Sequence, residues 1–167
     1  MIREGSDMII RKAEEKDTDD VLRLLSQVLE LHAAIRPDIF VPGTTKYSRE
    51  ELAVIFADEN RPVYVAADGE DRVLGYAFCV LREPPRHVNM VPFRTLYIDD
   101  LCVDETARGK HMGSALFEHV KKEAARLGCY EVTLNVWEGN DSALAFYRKK
   151  GMRPKEYQME YILDQSE

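Results

Sequence analysis

The sequence predicts an α/β fold, a mixed and mostly antiparallel central sheet with helices on both faces. Three observations lead there. Along 167 residues the apolar pattern switches repeatedly between a period near 3.6 and a period of two. Two strand-like stretches, Phe93 to Val103 and Cys129 to Trp137, read as largely apolar on both faces, with Asp99 and Asp100 the exception inside the first, as strands in a covered sheet do. An amphipathic stretch lies between those two, which is the order of a strand–helix–strand crossover.

The elements follow in order. Met8 to Ala13 is short and extended, an edge or near-edge strand. From Asp17 to Arg36, Val21, Leu24, Leu25, Val28, Leu29, Leu31 and Ile35 recur at helical spacing, and Asp17, Asp19 and Asp20 put negative charge at the favourable helix end. Pro37 stops that helix and Pro42-Gly43 marks a loop. Ser48-Arg49-Glu50-Glu51 reads as a capping box opening a short helix to about Asp58. Val63 to Ala67 and Val73 to Leu81 are strands joined by the turn Asp68-Gly69-Glu70-Asp71, and Pro84-Pro85 breaks the second. The long strand Phe93 to Val103 follows, then the helix His111 to Leu127, closed by Gly128. Cys129 to Trp137 is a strand, Asn140 to Lys150 a helix closed by Gly151, and Tyr157 to Leu163 a last strand. No repeat or linker interrupts the chain, so one domain is expected over 8–164 behind a short extension, 1–7.

Composition narrows the function. Hydrophobic residues at 45% and charged residues at 32% are ordinary for a globular domain, so disorder fits poorly. A net charge of −7 opposes phosphate backbones, which argues against nucleic acid as a partner, and it suits an amine. No apolar run approaches the roughly 18 residues of a membrane helix, and Met1 to Asp7 is too polar for a signal peptide. Cys79, Cys102 and Cys129 lack metal or redox spacing and sit in apolar stretches, so they are expected to be reduced in a cytoplasmic protein. His32, His87 and His119 show no ligand spacing with acids or cysteines, and no metal is expected.

The chemistry concentrates between Asp99 and Gly151. A strand delivers the turn Arg108-Gly109-Lys110 to the start of a helix, where free amides and the helix dipole attract anions. Arg108 and Lys110 add positive charge in an acidic chain. The spacing is neither that of a Walker loop nor that of a G-x-G-x-x-G fingerprint. Further on, Asn140 is a good cap residue, and Tyr147 lies two turns into the helix it opens.

Together these segments resemble the GNAT superfamily of acetyl-coenzyme A-dependent N-acetyltransferases. The likeness covers Met8 to Leu163. The family's pyrophosphate-loop pattern, Arg/Gln-x-x-Gly-x-Gly/Ala, is met by Arg108 and Gly113, with His111 in place of the first glycine. Its Asn-x-x-Ala-x-x-Phe-Tyr-x-Lys-x-Gly signature is met at Asn140, Ala143, Phe146, Tyr147, Lys149 and Gly151. The resemblance implies that the two strands flanking the crossover splay apart. The backbone of Leu101, Cys102 and Val103 would then pair with the pantetheine arm. It implies that amides of Arg108, Gly109, Lys110, His111, Met112, Gly113 and Ser114 receive the pyrophosphate. Asn140, Ala143 and Tyr147 would approach the pantetheine end, and a homodimer is expected on the same ground.

The implied reaction is direct attack of a primary amine on the acetyl thioester in a ternary complex. Tyr147 is the expected acid for the leaving sulfur. Asp99 is the leading candidate for the base, with Asp100, Glu138 or water as alternatives. Strand parity places Asp99 with Tyr97 and Leu101, and Asp100 on the opposite face, unless a bulge intervenes. Cys102 has no activating histidine in view and reads as a core thiol. The strand Tyr97 to Val103 tilts the acceptor towards a small cationic, polyamine-like amine over a peptide or protein amine. The competing function is a non-catalytic acyl-coenzyme A-binding or sensing domain on the same fold.

Overall fold

The computed structural model describes residues 8–163, so the expected extension at 1–7 lies outside the described residues. Strand β1 (Ile9–Lys12) pairs with β2 (Val63–Ala67), β2 with β3 (Val73–Arg82) and β3 with β4 (Arg94–Val103), all antiparallel. β4 pairs in parallel with β5 (Cys129–Leu134), and helix α3 (Met112–Arg126) makes the crossover that a parallel pair requires. The sheet order is β1-β2-β3-β4-β5. Helices α1 (Thr18–Ile35) and α2 (Arg49–Phe56) precede β2, and α4 (Asp141–Lys149) follows β5. The chain divides into two compact units, with the boundary between Asn135 and Val136.

In the first unit, strand parity sorts the core. Val63 and Val65 join Val73, Tyr76, Phe78 and Cys102 in one apolar cluster with Val21, Leu24 and Leu25 of α1 and Leu52 and Ile55 of α2. Tyr64, between them, points the other way, and its ring meets His119 of α3 edge-on at 4.8 Å. Met112, Leu116, Val120 and Ala124 form the buried stripe of α3 at four-residue spacing. Gly75 lets α3 lie close to the sheet: a Cβ there would stand 3.1 Å from both the Cys102 carbonyl oxygen and Leu116 Cδ1. The capping box holds, with Ser48 Oγ accepting from Glu51 N at 3.1 Å and Glu51 accepting from Ser48 N at 2.7 Å.

Two sequence expectations are corrected. β5 ends at Leu134 rather than Trp137, at the point where its ladder with β4 ends. Tyr157 to Leu163 is not a strand, and Tyr157, Met159, Tyr161 and Leu163 are all exposed. An alternating pattern prepares one face of a strand, but the strand state needs the ladder hydrogen bonds of a neighbour.

Asp104 ties β4 to α1 at the base of the β4–α3 connection and is 3% exposed. Its carboxylate accepts from Thr106 N at 2.8 Å and Thr106 Oγ at 2.7 Å, and it pairs with Arg23. Burial opposes the charge, but these donors outweigh it and hold the carboxyl well below the usual carboxylate range. Asp104→Asn is expected to cost about 2–3 kcal/mol in urea unfolding at pH 7. A depressed native pKa contributes stability above the unfolded value of about 4 and loses it as pH falls, so the gap between variant and parent should narrow in acid.

Candidate active site

β4 carries the acids, and a bulge decides their direction. Phe78 pairs with Asp100 and Cys79 with Ile98, so Asp99 is the extra residue. The bulge reverses the expected parity. Tyr97, opposite Val80, and Asp100, opposite Phe78, now share the face that packs on α1 and α2. Leu101, opposite Ala77, falls on the other face rather than beside Tyr97.

The two acids differ in surroundings. Asp100 is partly buried, and Tyr76 Oη donates to its Oδ2 at 2.5 Å. Desolvation pushes the Asp100 carboxyl up to about 6, against the Tyr76 bond, which favours the charged form. Tyr76 itself is buried, and its phenol is pushed well above its usual value, so it remains the donor. Asp99 instead accepts from Lys46 Nζ at 2.6 Å. Burial lowers the affinity of Lys46 for its proton, but the bond to Asp99 together with the charges of Asp99, Tyr47 and Asp100 offsets this and the ammonium persists. Lys46 reaches β4 from the α1–α2 connection, which Tyr47 anchors by stacking on Phe78 at 5.7 Å. Beyond the acids, the Arg82 guanidinium lies 3.9 Å over the Tyr97 ring, and Asn135 Nδ2 donates to Tyr97 Oη at 3.2 Å.

The strand that carries the acids also opens the sheet. β4 and β5 pair from Arg94 with Cys129 to Ile98 with Leu134. β4 then continues to Val103 after β5 has ended, so Asp99 to Val103 have no strand on that side among the described residues. Cys102, here, is a buried thiol pushed up to about 12 by desolvation, too weak an acid to form a nucleophile near neutral pH.

β4 leads through a short 3-10 turn at Glu105–Ala107 to α3. No side chain caps α3, and its first turn holds no acid. The first carbonyl-bonded amide of the helix is Ala115 N, to His111 O at 3.0 Å. The amides of Met112, Gly113 and Ser114 therefore lack helical acceptors, and exposed Arg108 and Lys110 flank them. Gly109 sits at φ +82 and His111 at φ 60, ψ 19, both left-handed. The left-handed turn is what a glycine at position 111 would supply freely, and histidine is among the residues that tolerate it. His111→Gly is expected to raise stability or leave it unchanged, by up to about 1 kcal/mol, with coenzyme A affinity intact or tighter by calorimetry.

In the second unit, Asn140 caps α4, its side-chain oxygen accepting from Ala143 N at 3.3 Å. Tyr147, half-buried, packs edge-on against Phe146 with ring centroids 5.1 Å apart. Glu138 is exposed. Among the described residues, no group of three or more His, Cys, Asp or Glu could hold a metal, and no helix is long and apolar enough to cross a membrane.

Lys46 and Tyr76 were not singled out in the sequence, and Arg82 was indistinguishable from a solvated loop arginine. Only Tyr76 had a signal, a phenol inside a buried strand that must find a partner for its hydroxyl. Lys46 is brought to Asp99 across 53 positions by tertiary folding.

Comparison with known proteins converges on one family. The model of the acetyltransferase (GNAT) family matches residues 26–152. Glucosamine 6-phosphate N-acetyltransferase 1 of Oryza sativa subsp. japonica is 34% identical over 110 residues, which cover 66% of this chain. The matched stretch covers 62% of that rice protein and 44% of an Arabidopsis thaliana counterpart. Thialysine N-epsilon-acetyltransferase of Bos taurus is 26% identical over 86% of this chain and 83% of its own. The crystal structure of a mutant of the BH1408 protein from Bacillus halodurans superposes with a TM-score of 0.88 at 34% identity, covering 93% of this chain and 99% of that one. With the motifs at Arg108–Gly113 and Asn140–Gly151, these matches establish that the chain belongs to the acetyltransferase (GNAT) family.

Proposed function

We propose that this protein transfers the acetyl group of acetyl-coenzyme A to a primary amine on a small molecule, by direct attack in a ternary complex. The observation that carries the reading is the opening between β4 and β5 on the strand that leads to the uncapped N-terminus of α3. The residues present fit the coenzyme. Free amides and two cations suit a pyrophosphate, and the β4 edge at Leu101, Cys102 and Val103 that faces away from β3 suits an amide-bearing pantetheine arm. When bound, acetyl-coenzyme A supplies the activated acyl group.

In this reading Arg108 to Ser114 hold the pyrophosphate, and Asn140 and Ala143 meet the pantetheine end. Tyr147 donates a hydrogen bond or proton to the departing sulfur, a phenol of pKa about 10 facing a thiol of about 8.5. Asp99, held by Lys46, orients the acceptor side. Asp100 collects the amine proton, directly or through water, because desolvation raises its proton affinity, whereas Asp99 is paired with Lys46. The curated relatives are named for acetylating glucosamine 6-phosphate and thialysine, which supports a small-molecule acceptor. We further propose a cytoplasmic homodimer, in keeping with free thiols at Cys79, Cys102 and Cys129.

Thiol release from acetyl-coenzyme A across a panel of polyamines, amino acids, amino sugars and peptides tests the reading. Turnover with small amines is the expected result. Clear thermal stabilisation by coenzyme A without turnover of any acceptor would instead make this a sensing domain.

A further inference from the structure

The acceptor face of β4 holds a cation that nothing among the described residues neutralises. Arg82 makes no hydrogen bond and no ion pair there; its guanidinium is held only by the face of Tyr97, at 3.9 Å. Stacking fixes the plane of a guanidinium but leaves its edge donors free for an anion. Acidic side chains are abundant in this chain of net charge −7, yet no described one closes on Arg82. The neighbouring Arg94, by contrast, takes Glu83 at 3.0 Å. Tyr97 is fixed in turn by Asn135, so Arg82 rests on an oriented platform. Two residues along β4 stands Asp99 with Lys46, and next to it Asp100. The face therefore sets a free guanidinium on one side, and on the other two carboxylates with a single ammonium between them. Two residues of strand separate the groups, roughly 7 Å.

We propose that Arg82 forms an anion subsite for the acceptor, so that the accepted amine also carries a carboxylate or phosphate several bonds from its nitrogen. The proposal rests on the acetyl-transfer reading and names the substrate class of that same site. Asp100 takes the amine end and Arg82 the anionic end, each by a charge-assisted contact. A polyamine would set a second ammonium against Arg82, which disfavours it. The strand Tyr97 to Val103 and the acidic net charge had tilted the expectation towards that class.

Matched acceptor pairs test this. Glucosamine 6-phosphate is compared with glucosamine, and lysine with 1,5-diaminopentane, by thiol release. The anionic member should lead in kcat/KM by at least about tenfold, chiefly through KM. Phosphate and carboxylate arms then rank the two anions. Arg82→Ala should pull each ratio towards one, and Arg82→Lys should restore it in part. Ratios near one in the parent, a preference for the diamine, or an equal loss for both members in Arg82→Ala would overturn the proposal. So would weakened coenzyme A binding in Arg82→Ala, which would place Arg82 at the coenzyme.

If no acceptor turns over, acetyl transfer fails, but thermal shift with coenzyme A present still decides the subsite. Stabilisation by glucosamine 6-phosphate and not by glucosamine, lost in Arg82→Ala, supports it. Equal or absent stabilisation sinks it.

Discussion

Tyr147→Phe is expected to lower kcat by about a hundredfold or more at saturating substrates, with the coenzyme A affinity nearly unchanged. The substitution keeps the ring that packs against Phe146 and removes only the hydroxyl, so α4 should remain intact. What is lost is the donor for a sulfur that gains negative charge only as the C–S bond breaks. An interaction made mainly in the transition state appears in kcat rather than in KM. Steady-state thiol release, with coenzyme A binding measured separately, checks both halves. An unchanged kcat would mean that water protonates the sulfur and would return Tyr147 to packing.

Asp100→Asn should act in opposite directions on rate and stability. The rate should fall by about a hundredfold. The acid limb of the pH–rate profile, expected near the carboxyl's value of about 6, should disappear. Stability should rise, because the native carboxyl titrates above its unfolded value of about 3.9. A group raised in this way favours the fold when protonated, fully so below the unfolded value, and this contribution is lost as pH climbs through about 6. At pH 8 the charged Asp100 therefore costs up to about 3 kcal/mol, which asparagine avoids while still accepting from Tyr76. Thermal melts of both proteins at pH 8 and pH 4 give the comparison: a gain at pH 8 that closes at pH 4. Lost activity with no gain in stability would mean that Asp100 is not held against its own desolvation.

Much of the scaffold was legible because its signals are local. The spacing of Val21, Leu24 and Leu25 gave α1, and Ser48 with Glu51 gave the start of α2 to the residue. Asn140 capped α4 as its type suggests, its side-chain oxygen accepting from Ala143 N. The basic turn at Arg108 ahead of α3 was readable too, since it depends on a few adjacent residues. Tyr157 to Leu163 had an equally good pattern and formed no strand. Alternation describes a side-chain face, whereas a strand exists only through another strand's hydrogen bonds.

The acceptor side was the least legible. Asp99 and Asp100 stood out in the sequence, but their directions were set by a one-residue bulge against β3, and one residue of slip turns every side chain to the other face. Their chemistry was set by Lys46 and Tyr76, residues distant in the chain whose charge and hydroxyl meet them only in the folded protein. The sequence by itself determined the order of elements as far as α4, the basic turn ahead of α3 and the family. Periodicity, caps and short motifs are properties of neighbouring residues. The tertiary structure alone decided which acid shares a face with Tyr97, which is paired with Lys46 and which is left with raised proton affinity. Register, burial and charge pairing arise between segments distant along the chain, and no local pattern encodes them.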